Sequence, residues 1–295
     1  RRSNSTRPCT RTSPMRARRI VASVVVLVLL SVLGVSAAAV YYTVTRQPAP
    51  WASACTADVG GSTVRLDPAQ SRNAAIITAV AGRLGLAPRA ASIGLATALQ
   101  ESGLRILDHG DRDSLGLFQQ RPSQGWGTAE QVMDPWYAAG AFYAAMVKVK
   151  GWETADIGDV AQAVQKSGYP DAYDKHVPSA RVLASALSGE TAAAFTCTAT
   201  SVPPADAAGL SAFLAKTMPK DATVSTSGTT MRVTAPSAAD ASAVAAVTIA
   251  DAETHGVRRV SVGGKTWAPR WPFGAAWSSG ALAGADATHV VIELA

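Results

Sequence analysis

Apolar residues recur at helical spacing through residues 67–188, and the strongest stretch is 90–102. Ala90, Ala91, Ile93, Leu95, Ala96, Ala98 and Leu99 cover every side of a helix there. That is the pattern of a helix buried all round. It ends in Gln100-Glu101-Ser102, so the spacing places a carboxylate in the last turn of a buried helix. Pro88 opens this element. Upstream, Asp67-Pro68 reads as a helix start, with Asp as N-cap and Pro at the first helical position. Ile76, Ile77, Val80 and Leu84 form its apolar stripe, and Gly85 ends it. Asp134-Pro135 repeats the start signal, followed at helical spacing by Trp136, Ala139, Phe142, Tyr143, Met146 and Val147, with Gly151 closing the element. Residues 157–166 predict another helix, with Val160, Ala161 and Val164 on one side. Ser167-Gly168-Tyr169-Pro170 is a turn, and a last helix runs to Leu187. Between 105 and 120 the helical period stops, and 115–120 reads as a short strand in a small β insertion.

After Cys197 the pattern changes. Residues 198–208 are a Pro/Ala linker. Then come a helix at 210–217, strands at 223–227 and 229–234, an Ala-rich helix at 238–255, and strands at 257–262 and 289–294. These predict a small α/β sandwich whose pattern carries no motif tied to chemistry. At the other end, residues 20–45 contain no charged residue, long enough for a membrane-spanning helix. Arginines precede it and Tyr41 and Tyr42 fit an outer interface, which orients the N-terminus to the cytoplasm. A cleaved signal peptide ending near Ser36-Ala37-Ala38-Ala39 is the alternative. The expected fold class is therefore α+β: a transmembrane helix, a mainly-α body with a small β insertion, then a small α/β domain. The expected divisions are a basic tail 1–19, a span 20–45, a stalk 46–66, a body 67–197, a linker 198–208 and a C-terminal domain 209–295. This organisation predicts a single-pass plasma-membrane protein with its folded parts outside the cytoplasm.

Charge changes the picture only at the N-terminus. The formal net charge is +6, but seven arginines precede Ile20, and the remainder holds 20 basic against 21 acidic residues. The basic balance is a property of the tail and argues against nucleic-acid binding by the folded part. Of the three cysteines, Cys9 precedes the predicted span, whereas Cys55 and Cys197 follow it and bracket the helical body. An oxidising outer face allows them to pair, the alternative being two free thiols. Such a pair leaves no cysteine cluster for a metal.

Glu101-Ser102 at a helix end, then Gly116-Leu117-Phe118-Gln119, Pro122 and Thr128, resembles the soluble lytic transglycosylase and goose-type lysozyme superfamily. The family pattern is Glu-Ser, a Gly-Leu-Met-Gln run, then Pro and Thr. The longer run from Ala98 to Thr128 is similar to lysozyme-like domains of actinobacterial envelope proteins and phage tape-measure proteins. The likeness covers about residues 67–188. Phe118 stands where Met is usual, and residues 106–113 are more acidic than the general pattern.

The resemblance implies peptidoglycan glycan strands as substrate, no cofactor and no metal, with Glu101 as catalytic acid. Burial and the negative end of its own helix should both raise its pKa toward working pH. The blander reading is a helix-end glutamate paired with Arg105. The resemblance further implies that the Gln119 side chain and the Leu117-Phe118 backbone line the sugar groove. It points to Tyr169 as the family's later tyrosine, with Tyr173 as competitor. Asp111 and Asp113 are candidate second carboxylates, the alternative being a solvated acidic turn with Asp108. A two-carboxylate glycosidase needs such a partner, whereas a lytic transglycosylase does not.

Other constellations fall short. His109, His176, His255 and His289 have no metal-binding spacing. Gly263-Gly264-Lys265-Thr266 lacks the first glycine of a phosphate loop and reads as a hairpin turn. Trp267, Trp271 and Trp277 are candidates for sugar stacking or for a packed aromatic loop. The sequence thus predicts a membrane-anchored, peptidoglycan-cleaving enzyme. The alternative is a non-catalytic envelope protein that binds glycan or scaffolds a partner, to which the C-terminal domain could contribute.

Overall fold

The structure is a computed structural model and describes residues 53–269 and 276–295, with scattered helical positions between Val24 and Ser36. Residues 53–295 form one compact unit. The expectation of a transmembrane helix at 20–45 is corrected. Among the described residues no helix is long and apolar enough to cross a membrane. The remainder of the predicted span, with residues 1–19 and 37–52, lies outside the described residues.

Residues 54–66, within the stalk expected at 46–66, form a hairpin. Strand β1 (Ala54–Val59) turns at Gly60-Gly61 into β2 (Ser62–Leu66). β1 also pairs antiparallel with β3 (Phe195–Thr198), giving a three-stranded sheet ordered β2-β1-β3. Cys55 stands opposite Cys197 in that pairing, and the two form a disulfide.

Between these strands lies the helical body. α1 (Pro68–Arg83) begins with a capping box, Asp67 accepting from the Gln70 N–H while Gln70 reaches back to the Asp67 N–H. α2 (Pro88–Ser102) is buried at every position from Ala90 to Ala98, as its apolar circumference requires. α3 (Ala129–Met133) and α4 (Pro135–Met146) follow, with Asp134 capping the latter through the Trp136 N–H at 2.8 Å. Gly94 lets α4 close on α2: a Cβ there would lie 2.5 Å from the Tyr143 hydroxyl, which donates to the Ile77 carbonyl. α5 (Ile157–Gln165) and α6 (Val177–Leu187) complete the body.

Residues 105–120 are not a β insertion. They form a loop closed by one isolated bridge, Leu115 and Gln120 exchanging both backbone hydrogen bonds at 3.0 Å. The left-handed backbone at Arg112, Gly116 and Gln119 keeps this segment from extending into a strand.

The C-terminal part comprises α7 (Ala207–Thr217), β4 (Thr223–Ser227), β5 (Thr230–Thr234), α8 (Ala238–Ala250), α9 (Ala252–His255), β6 (Val257–Val262), β7 (Lys265–Ala268), β8 (Ala276–Ser279) and β9 (His289–Leu294). Its strands form one antiparallel sheet ordered β4-β5-β9-β6-β7-β8. α8 lies on the sheet and also touches α1 and α6, so the core runs without a break from the body into this part. Arg72 of α1 forms an ion pair with the fully buried Asp251. His255 stands between carboxylates, its Nδ1 3.0 Å from Asp206 Oδ2. Its Nε2 lies 3.1 Å from Asp251 Oδ2 without hydrogen-bond alignment.

Candidate active site

α1 fixes the end of α2. The Gln70 side chain donates to the Gly103 carbonyl at 2.9 Å, and Asn73 to that of Leu104 at 2.8 Å. Gly103 and Leu104 are both left-handed, and the Leu104 N–H returns to the Ala98 carbonyl at 3.1 Å. This closure sets the direction in which Glu101 leaves the helix. Arg105 forms an ion pair with Asp67 rather than Glu101. The blander reading of Glu101, as one half of a surface pair with Arg105, therefore does not describe this site.

The loop is tied to the same helix end. The Ser102 hydroxyl donates to the Leu117 carbonyl at 2.7 Å and accepts the Arg105 N–H at 3.2 Å. Gly116 is required where it stands: its φ is 75°, and a Cβ would lie 2.1 Å from the Val132 carbonyl oxygen. Leu117 and Phe118 are buried, and Phe118 stacks on Phe142 with ring centroids 4.7 Å apart. Their carbonyls, expected to face sugar, have partners within the protein: Ser102 for Leu117, and the Gln165 amide for Phe118 at 2.7 Å. Gln119 turns back into the loop, its amide 3.3 Å from the His109 carbonyl and 3.4 Å from that of Gly116.

Glu101 itself is half-buried. The Tyr173 hydroxyl donates to its Oε1 at 2.6 Å, and the Gln165 side chain also favours its charged form. Burial raises the Glu101 pKa above its ordinary value, and this outweighs the two donors, which favour the charged form. The Tyr173 hydroxyl is pushed up by its own burial and by the carboxylate beside it, so it remains a donor across the physiological range. Tyr169 is 78% exposed, whereas the Tyr173 side chain is fully buried. The structure thus brings Tyr173, not Tyr169, to the acid. Beside them, His176 Nε2 is 3.2 Å from Gln100 Oε1.

Neither candidate second carboxylate acts on Glu101. Asp113 accepts from Arg121 at 2.8 Å, the Ser123 N–H at 2.7 Å and the Ser123 hydroxyl at 2.9 Å. These bonds hold its carboxyl far below the usual carboxylate range. Asp111 is exposed and lies 4.0 Å from the Arg112 guanidinium. Gln165 was missed by the sequence reading. The signal was present: it stands one turn after Ala161 on the inward stripe of α5, a polar residue at a core position.

The remaining candidates lie elsewhere. Trp267 is buried and donates to Thr196 at 3.0 Å, while Trp277 donates to the Phe195 carbonyl at 2.9 Å. Both clamp β3 to the large sheet; Trp271 lies outside the described residues. Gly263 and Gly264 form the β6–β7 hairpin turn. A cavity of about 330 Å³ opens at the far end of α2, lined by Arg83, Pro88, Ala91, Ser188 and Asp240. It stands roughly 20 Å of helix away from Glu101.

No family model and no curated protein matches the chain.

Proposed function

We propose that this protein cleaves the glycan strands of peptidoglycan, with Glu101 as its single acid and base. The observation that carries the reading is the state of that carboxyl. It is half-buried at the end of a helix buried from Ala90 to Ala98, its pKa is raised by desolvation, and it accepts from the Tyr173 hydroxyl. A carboxyl that keeps its proton toward neutral pH is what protonation of a glycosidic oxygen requires.

The chemistry follows from one acid. Glu101 gives its proton to the bridging oxygen as the C1–O bond of the muramyl sugar breaks. The acetamido oxygen of that sugar bonds to C1 and takes up the positive charge. The resulting Glu101 carboxylate, held by the Tyr173 and Gln165 donors, accepts the proton of the 6-hydroxyl. The hydroxyl oxygen attacks C1 and displaces the acetamido oxygen. The products are a 1,6-anhydro end and a reprotonated Glu101. That the local bonds of Asp113 are all within its own loop favours this scheme over one with two carboxylates. The Cys55–Cys197 disulfide supports an oxidising, extracytoplasmic setting, where this substrate is found.

The test is incubation of the purified protein with peptidoglycan, followed by mass spectrometry of the soluble products. Anhydro-muropeptides, absent with Glu101→Gln, are the expected result. Binding of peptidoglycan with no product from the wild-type protein would replace this reading with that of a glycan-binding protein.

A further inference from the structure

The cavity of about 330 Å³ opens where the helical body meets the C-terminal part, with walls from α1, α2, α6, α7 and α8. Its size, its place between two packed parts and its mainly apolar lining are those of small-molecule sites. Ala79, Val244 and Val247 supply buried apolar surface there. The hydroxyls of Thr78 and Thr217 bond back into their own helices, at 2.9 Å to the Ala74 carbonyl and 3.0 Å to that of Phe213.

The charged residues of the lining are Arg83 and Asp240. Each suits its own helix end, Arg83 the last turn of α1 and Asp240 the first turn of α8. That accounts for their signs but not for the space they share. Arg83 is held to the wall, its Nη1 donating to the Met218 carbonyl just past α7 at 2.8 Å. Among the described residues its other donors have no partner and no carboxylate forms an ion pair with it. Asp240 accepts the Ser237 hydroxyl at 2.6 Å through Oδ2 and has no ion-pair partner among those residues either. Gly82 lowers the same wall. It lies inside α1, where glycine weakens a helix relative to alanine. Its backbone is not left-handed, and a Cβ built on it meets nothing within 4 Å. Neither backbone nor packing requires glycine there, whereas a molecule seated against that wall would.

We propose that this cavity binds a small zwitterion with an apolar side chain, of the class of free apolar amino acids and their dipeptides. The carboxylate pairs with Arg83, the ammonium with Asp240, and the side chain lies against Val244 and Val247. One charge of each sign on an apolar lining fits a ligand that carries both. A simple anion would meet Asp240, and a simple cation Arg83. The site is separate from Glu101, and the proposal does not depend on the reaction assigned there.

Isothermal titration calorimetry of the purified protein with leucine, Leu-Leu, glycine, isocaproate and isopentylamine tests it. The last two are leucine without its ammonium and leucine without its carboxylate. Leucine or Leu-Leu should bind with a Kd below about 1 mM, and the tighter of the two gives the ligand's length. Glycine, isocaproate and isopentylamine should each bind at least about tenfold more weakly, the scale of a lost charged hydrogen bond or a lost apolar contact. Gly82→Leu should weaken binding at least about tenfold while melting no lower than wild type, because leucine favours a helix where glycine does not. Arg83→Gln should erase the preference for leucine over isopentylamine, and Asp240→Asn the preference over isocaproate. Glu101→Gln should bind as wild type does. Failure of leucine and Leu-Leu to bind below about 1 mM would overturn the proposal, as would equal affinity for leucine and either derivative. Unchanged affinity in Gly82→Leu would also overturn it. If that variant melts lower, unchanged affinity in Arg83→Gln decides against the proposal in its place.

Discussion

The Tyr173 hydroxyl donates to Glu101 Oε1 at 2.6 Å, across 72 residues of sequence. This bond opposes the burial that raises the carboxyl's pKa, so the acid is set by competing effects. Tyr173→Phe removes the opposing one and should move the Glu101 pKa further up. The alkaline limb of the pH–rate profile should shift to higher pH, and kcat should fall about tenfold as the carboxylate loses a donor in the second half of the reaction. A carboxyl-carbon NMR titration of Glu101 reports the same shift without turnover.

Glu101→Gln should abolish product formation, by about 10³-fold or more, while making the fold more stable near neutrality. The sign follows from linkage. The folded-state pKa lies above the unfolded value of 4.5, so the stability linked to this proton is fully present below 4.5 and is lost as pH rises through the folded value. The variant should match wild type in acid and exceed it at pH 7. Urea melts at several pH values measure this directly.

Asp113→Asn separates one-carboxylate from two-carboxylate chemistry. The single-acid mechanism predicts kcat within about tenfold of wild type, with local loosening of residues 113–123 visible by hydrogen exchange. A fall of about 10³-fold with the loop intact would assign Asp113 a direct role.

Gly116→Ala should cost about 2–4 kcal/mol, because it places a Cβ against the Val132 carbonyl at a φ of 75°. Thermal unfolding measures the loss. The effect should reach Glu101 through the Ser102–Leu117 hydrogen bond, lowering activity beyond the fraction unfolded.

Replacing Cys55 and Cys197 together with serine releases a loop of 142 residues. The chain-entropy estimate is about 5 kcal/mol, an upper-end figure. Equilibrium unfolding of the variant should show a loss of several kcal/mol; a change below about 1 kcal/mol would assign the closure to β1–β3 pairing alone.

The helical body was legible because its signals are local. Asp67-Pro68, Pro88, Asp134-Pro135 and the apolar circumference of α2 each act within a few residues, and the structure places helices at each. In the C-terminal part, strands at 223–227, 257–262 and 289–294 were read as they stand. What was missed depends on distant partners. β1 is paired on one side with β2 and on the other with β3, some 140 residues on, and that distant partner is not legible locally, although Gly60-Gly61 was a readable turn. Tyr169 and Tyr173 are both plausible on sequence, and only the turn between α5 and α6 decides which one is buried against Glu101. Residues 115–120 looked like a strand because Leu115, Leu117 and Phe118 are apolar, yet positive φ at Gly116 and Gln119 folds them back.

The pairing of β1 with β3 also imposes an order in time. Cys55 is synthesised 142 residues before its partner, an interval of about 7–28 s at ordinary translation rates. Throughout it the first hairpin carries a bare edge and a waiting thiol. The helix that carries Glu101 therefore reaches its stapled form only after residue 197 has emerged. An oxidant that acts sooner meets Cys55 before its partner exists.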